Sequence, residues 1–369
     1  METFCSFSAL ERFYRGRRVL VTGSTGFKGS WLCRLLVHLG AEVHGFALEP
    51  PCEPNLWHIA ALDGCVHQKM ADVRSLDALE AVFDAARPQV VLHLAAQPLV
   101  LDGYERPRYT FETNIMGTVN LLECARSCSS VSSLLNVTTD KVYENLEQPG
   151  YGYREDDKLD GFDPYSNSKS CSELVTHAYA RSFFNAGAHG AAAGRCAVST
   201  ARAGNVIGGG DFSANRIVPD CVRAVQAGEP VVIRNPNSVR PYQHVLEPLV
   251  AYLAIVAAQE EDPATAGWYN IGPDDASCVT TGELVRLFSA AWGPGFSFEE
   301  GSVDGPHEAN FLKLDNAKAK ARLGWHPVWD VREAVGRTVE WTRTWLEEGD
   351  AAAAACMDRQ IDAYGKALV

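Results

Sequence analysis

The chain has 369 residues, 46% of them hydrophobic and 21% charged, proportions that suit a folded globular protein and exclude an intrinsically disordered one. Its 33 basic and 46 acidic residues give a formal net charge of -13, which opposes nonspecific attraction to nucleic acid or anionic membrane and leaves room only for local anion sites. No run reaches the roughly 18 to 20 apolar residues of a membrane span, METFCSFSALERFYRG lacks the ordered regions of a secretory signal, and the eleven cysteines are dispersed without a CxxC pair. The expectation is a cytoplasmic protein with no metal site and no membrane or nucleic-acid partner, built from two or three units of roughly 150 residues.

In chain order, RRVLVTG (17-23) reads as a buried strand running into a glycine-rich turn. Trp31, Leu32, Leu35, Leu36 and Leu39 then recur at helical spacing, with Gly40 as a stop. AEVHGFAL is a strand, PPCEP a loop, LDALEAVFDAA a helix, QVVLHLAA a strand and TNIMGTVNLLECARSC a helix, before an apolar run around Leu134 reaches TTDKVY. This alternation predicts an open α/β sheet. A loop over 147-164 feeds a helix in SNSKSCSELVTHAYARSFF, and the strand pattern breaks in glycines near 204-215. Later, IVPDCVRAVQAG and VLEPLVAYLAIVAAQE read as helices, PVVIRN and GWYNIG as strands, VTTGELVRLFSAAW as a helix, and the alanine run at 351-355 as a helical tail. The chain therefore divides into a dinucleotide-binding domain over 17-203, a substrate-binding segment over 204-244, a return to the first domain over 245-272 and a substrate-binding domain over 273-348.

TGSTGFKGS lies between the first strand and helix, where small residues let backbone approach a pyrophosphate. Gly23 and Gly26 shape the turn, and Gly29 lets the helix sit close to the sheet. Lys28 is either a phosphate-neutralising cation or a solvent-facing lysine. Glu49, 20 residues beyond Gly29, is a ribose candidate that equally suits a loop, and Asp72 is a candidate adenine-edge contact. Tyr165 and Lys169 stand one helical turn apart in YSNSK, so that the ammonium can stabilise a phenolate acting as proton acceptor beside a nicotinamide. In TTDK, Thr139 could orient an alcohol, Asp140 supply a proton and Lys141 remove one once uncharged; a capped turn is the competing reading. His93, His244 and Glu247 form no complete metal cluster, and the Asn-Val-Thr at Asn136 falls in a buried strand, which argues against glycosylation.

Together, TGSTGFKGSWL, HLAAQPLV, FETNIMGTVNLLE, TTDKVYEN, YGYRE, DPYSNSK, ARAGNVIGGGDF and RNPNSVRPYQHVLEP resemble the successive signatures of the CDP-glucose 4,6-dehydratases of the extended short-chain dehydrogenase/reductase superfamily. The resemblance implies a Rossmann-like doubly wound parallel sheet with a smaller C-terminal substrate domain, a homodimer, bound NAD and a CDP-hexose substrate. By the same resemblance Tyr165 deprotonates the sugar 4-hydroxyl, Lys169 holds the phenolate and the nicotinamide ribose, Thr139 bonds the 4-oxygen, Lys141 is the C5 base and Asp140 the acid for the C6 hydroxyl. Thr25, Phe27, Lys28, Asp72, Val73, Leu94, Ala95 and Ala96 then join the glycines around the cofactor. Gln97, Asn205, Arg216, Arg234, Arg240 and His244 face the substrate. The chain departs from the family pattern at Ser24 (commonly His), at Leu101 and Gly103 (expected Arg and Ser) and at Tyr242 (typically Trp). A related epimerase or a dehydratase for another nucleotide sugar is the enzymatic alternative, and a non-catalytic nucleotide-sugar-binding protein the other.

Overall fold

A computed structural model describes residues 6–185, 193–301 and 310–368. The first five residues of the opening segment, and 302–309 within the expected 273-348 domain, lie outside the described residues. Seven parallel strands form the main sheet in the spatial order Trp268–Asn270, Ala197–Arg202, Ser133–Thr138, Val90–His93, Arg18–Thr22, Glu42–Ala47, His67–Met70. The chain starts at Arg18–Thr22, moves outward to His67–Met70, then crosses back to build the other half from Val90–His93. Connections leave these two central neighbours in opposite directions, opening a crevice at their carboxyl ends, where doubly wound sheets take ligands.

Side-chain alternation explains the layering. Val19 and Val21 enter one core while Leu20 enters the other, and Val90 and Leu92 are divided from Val91 in the same way. One face is covered by helices Phe27–His38 and Leu246–Glu261, with Asp350–Ala367 packed outside Phe27–His38, and the other by Leu76–Ala86, Gly117–Ser127 and Pro164–Tyr179. Leu246–Glu261 is enclosed almost all round, every residue from Leu246 to Gln259 being buried. A smaller lobe has its own core, with Val218, Leu284, Phe288, Val335 and Val339 from three helices packed over two short strand pairs. Trp268–Asn270 returns to the main sheet beside Ala197–Arg202, so the two lobes are interleaved along the chain.

Two terminal helices go beyond the sequence reading. Phe7–Tyr14, in a segment read only for the lack of a signal, anchors through the Tyr14 hydroxyl, which donates to the Leu253 carbonyl at 3.0 Å. Asp350–Ala367, read as a tail, buries Ala353, Cys356, Met357, Ile361 and Tyr364. Arg34 grips Asp358 with two bonds of 2.8 and 2.6 Å, and the Tyr364 hydroxyl donates to Glu247 at 2.7 Å. Among the described residues no helix is long and apolar enough to cross a membrane.

Glu247 opens the buried helix and also accepts the Val328 and Trp329 N–H groups. Burial outweighs these donors and pushes its carboxyl up to about 7 from 4.5. A folded-state pKa above the unfolded one means that folding takes up a proton between the two values. The associated stability is fully present below the unfolded pKa and is lost as pH rises through about 7. Urea unfolding of Glu247→Gln and the unaltered protein from mildly acidic to mildly alkaline pH should show the unaltered protein losing stability relative to the variant as pH rises; parallel curves would refute the coupling.

Candidate active site

The crevice begins at the glycine turn. Gly23 has φ +73°, and a β-carbon there would lie 2.8 Å from the Ala95 nitrogen; one on Gly29 would meet the Gly23 carbonyl oxygen at 2.0 Å. Gly26 is the N-cap of Phe27–His38 and brings no capping side chain, so the first-turn N–H groups stay open to an anion. The neighbouring strands hold this cradle in place: Thr25 donates to the Leu48 carbonyl at 2.9 Å, Ser24 to Gln68 at 2.8 Å, and the Ala95 N–H to the Thr22 hydroxyl at 3.2 Å. Phe27, Leu94 and Ala96 are half-buried beside it. Asp72 is clasped by the backbone and guanidinium of Arg74, Val73 packs where a β-carbon on Gly117 would intrude, and Glu49 is exposed beyond its strand.

Strand Ser133–Thr138 delivers Thr139 to a short 3-10 turn, Asp140–Val142. Asp140 is buried against Gly204, where a β-carbon would fall 1.8 Å from its Oδ2, and it meets the Thr139 hydroxyl at 3.0 Å and the Asn205 amide at 3.4 Å. Lys141 is half-buried on the same turn. Opposite stands helix Pro164–Tyr179, started by Pro164 and by Asp163, which accepts the Ser166 N–H at 3.0 Å. Burial pushes Tyr165 up to about 12, while its hydrogen bond with Thr139 and the Arg216 charge pull it down. Lys169 donates to the Val137 carbonyl at 2.9 Å; burial lowers it to about 8, with Glu173 opposing and Lys28 assisting. Gly103, one of the family departures, lies against Tyr165: a β-carbon there would be 3.2 Å from the Tyr165 nitrogen.

The remaining expected contacts are dispersed. Arg216, N-cap of helix Ile217–Ala227, pairs with Asp211 at 2.9 Å and its charge reaches Tyr165. Arg240 is buried on a short strand and donates to the Val239 carbonyl at 3.0 Å, whereas Arg234 is exposed, 3.6 Å from Asp220. The Gln97 amide braces its own loop, donating to Thr110 at 2.8 Å and accepting the Leu99 N–H at 2.6 Å. His244 sits between Trp31 and Trp329, and burial lowers it to about 3. His93, neutral for the same reason, is bonded to Thr22 at 2.7 Å. Asn136 is buried and donates to Ser172 and Thr176. No metal-holding cluster occurs among the described residues.

A buried network under this site escaped the sequence reading. Glu173 accepts Arg202 Nε and Nη2, each at 3.1 Å, Thr200 at 2.6 Å, Thr138, and His177 at 3.1 Å. Burial raises the Glu173 carboxyl, but the Arg202 charge and the donors outweigh it and hold the group well below the carboxylate range. Arg202 also donates to the Tyr143 hydroxyl at 2.6 Å. The available signal was spacing, since Tyr165, Lys169 and Glu173 follow one another at four-residue intervals.

A family model described as GDP-mannose 4,6 dehydratase matches residues 20–338, and the chain belongs to this family. A CDP-glucose 4,6-dehydratase from Salmonella typhimurium is 42% identical, over 96% of this chain and 98% of that one. A dTDP-glucose 4,6-dehydratase from Streptomyces griseus is 28% identical, over 89% and 96%. The solved UDP-glucose 4-epimerase of Thermus thermophilus, in complex with NAD, superposes with a TM-score of 0.75 at 26% identity, covering 88% of this chain and 99% of that one. The NAD complex of the Bacillus anthracis dTDP-glucose 4,6-dehydratase gives 0.73 at 21% identity, over 90% and 98%, and so speaks for the fold alone.

Removing one member of the buried pair strands the other. Arg202→Met should cost about 3 to 5 kcal/mol of stability, measurable by denaturant unfolding; a loss below about 1 kcal/mol, as for an exposed pair, would mean that Glu173 has found other compensation.

Proposed function

We propose that the protein is a nucleotide-sugar 4,6-dehydratase that binds NAD and converts CDP-glucose into CDP-4-keto-6-deoxyglucose and water. The observation that carries this reading is the meeting of Thr139, Asp140 and Lys141 with Tyr165 and Lys169 around one strand end. A tyrosine–lysine pair suffices for redox at C4, whereas elimination also needs an acid and a base. The similarity to the Salmonella enzyme over nearly its whole length supports CDP as the nucleotide.

NAD, when bound, supplies the acceptor for the C4 hydride and returns that hydride to C6. Gly23, Thr25, Gly26, Phe27 and Gly29 would hold its diphosphate, and Asp72, Val73, Leu94, Ala95 and Ala96 would line the rest. The cradle fits because the N-cap Gly26 leaves the first-turn N–H groups without a side-chain cap, open to an anion. Tyr165 takes the proton of the sugar 4-hydroxyl, Thr139 bonds the 4-oxygen, and the Lys169 ammonium offsets the phenolate charge. The resulting C4 ketone acidifies the C5 hydrogen. Lys141, acting as a neutral amine, removes that proton while Asp140 gives its own to the C6 hydroxyl; the C6–O bond breaks and water leaves. Asn205, Arg216, Arg234 and Arg240, with Gln97 and His244, complete the nucleotide-sugar site, the guanidinium fork suiting a diphosphate.

The protein is further proposed to act as a cytoplasmic homodimer. Its described cysteines are free, and Met116 and Leu174 stand 49% and 52% exposed on neighbouring helical segments; sedimentation at working concentration tests the dimer.

Incubation with CDP-, dTDP-, UDP- and GDP-glucose, followed by mass spectrometry, should show loss of one water selectively from CDP-glucose, with deuterium placed at C4 recovered at C6. Unchanged mass across the panel would overturn the reading. Lys141→Met should still form the C4 ketone but lose dehydration by about 10²- to 10⁴-fold, and undiminished dehydration would remove Lys141 from its role.

A further inference from the structure

This inference rests on the proposed dehydration and concerns how its acid is held. Strands Ser133–Thr138 and Ala197–Arg202 run parallel in a register that ends with Thr138 opposite Arg202. Two residues beyond that pair, Asp140 lies against Gly204: a β-carbon on Gly204 would overlap the Asp140 Cγ and both carboxyl oxygens, which are the three atoms nearest to it. Gly204 is not among the glycines with positive φ, so space rather than backbone conformation is what calls for glycine here.

Neither strand end can give way cheaply. Glu173 accepts bonds from Thr138 on one strand and from Arg202 on the other, which fixes their separation just before the contact. On the Gly204 side, the buried Gln243 amide donates to the Gly204 carbonyl at 3.4 Å and to the Ile271 carbonyl at 3.0 Å, and the Gln243 N–H donates to the Asn205 carbonyl at 3.3 Å. Asn205 already stands at φ +44°, in the left-handed region, so the turn after Gly204 has little freedom left. The movable part is the Asp140 carboxyl. Turning it away from a β-carbon would break its contacts with the Thr139 hydroxyl at 3.0 Å and the Asn205 amide at 3.4 Å.

We propose that Gly204 is a positioning residue that acts through Asp140: its missing β-carbon is the space in which the carboxyl is held ready to protonate the departing C6 hydroxyl. In that step the C5 proton passes to the Lys141 amine, the C5–H electron pair becomes the C5–C6 double bond, and the C6–O pair leaves with the Asp140 proton as water. The acid must face the C6 oxygen as that bond breaks, whereas oxidation at C4 draws on Tyr165 and Lys169. A side chain at position 204 therefore separates the two stages, because it displaces the acid of the second without meeting the tyrosine and lysine of the first.

Single-turnover reactions with CDP-glucose, quenched and weighed by mass spectrometry, separate the C4 ketone, lighter by two hydrogens, from the dehydrated product, lighter by one water. Gly204→Ala is expected to slow dehydration about 10- to 100-fold and ketone formation far less. Asp140→Gly removes the acid together with the atoms that the β-carbon would meet, so adding Gly204→Ala to it should cost no further dehydration, the non-additivity of two residues that act through one contact. If Gly204→Ala alone fails to fold, the double variant should fold, since the overlap is gone. Undiminished dehydration in a folded Gly204→Ala, equal slowing of both stages, or a further loss in the double variant would overturn the inference. So would a double variant that fails to fold where Asp140→Gly folds. Absence of dehydration by the unaltered protein would defeat the proposed function first, and the inference with it.

Discussion

One buried carboxylate ties together the strand ends and the helix that carry Thr139–Lys141, Tyr165 and Lys169. Glu173 gathers Thr138, the last residue of the strand that runs into Thr139–Lys141, and Arg202, the last residue of the strand that runs into Gly204 and Asn205. It stands on the helix that carries Tyr165 and Lys169. Two strand ends and one helix are thereby fixed in rotation and height by a single group. Such a pair is not an efficient source of net stability, because both ions lose their water. Its directional value lies in the number of donors that must be in place at once, and a hydrophobic replacement would pack without specifying any of those positions.

The central strands impose a different constraint, of close approach. The Thr22 hydroxyl both meets His93 and accepts the Ala95 N–H, so the strand ends on either side of the crevice are bonded together at its base. Gly23 and Gly29 are then required by neighbouring backbone rather than by a flexible side chain, since Ala95 and the Gly23 carbonyl occupy the positions that β-carbons would take. The anion cradle is thus a consequence of tight strand–helix packing, and the same packing leaves the helix N-terminus without a side-chain cap.

Strands, glycine turn and the Tyr165–Lys169 helix were legible because they depend on local pattern: a buried apolar run, a glycine cluster and a four-residue interval. The interior partners were not, because nothing local distinguishes Glu173 from a solvent-facing glutamate. Their meaning comes from residues far away in sequence, such as Arg202 for Glu173. The alanine-rich C-terminus was legible as a helix but not as a packed one. Small side chains read as helix-forming and otherwise featureless, yet they let Asp350–Ala367 lie close against Phe27–His38, with Arg34, Asp358, Tyr364 and Glu247 supplying the specific contacts. The neighbourhood of His244 between Trp31 and Trp329 is likewise visible only once the chain is folded.

Desolvation drives the two redox-site groups in opposite directions, Tyr165 upward and Lys169 downward, so that burial alone favours a neutral phenol and a neutral amine. The neighbours decide how far that tendency is checked. Thr139 and Arg216 act on the phenol, Glu173 acts on the amine, and each is stronger for standing in a poorly solvated site. The burial that opposes charge is therefore also what gives a few charged neighbours control over it. A chain with a net charge of -13 nevertheless concentrates Lys28, Lys141, Lys169 and Arg216 around this one crevice. An entering diphosphate would meet local positive potential despite the overall charge, and in offsetting those cations it would shift the same balance that sets Tyr165 and Lys169.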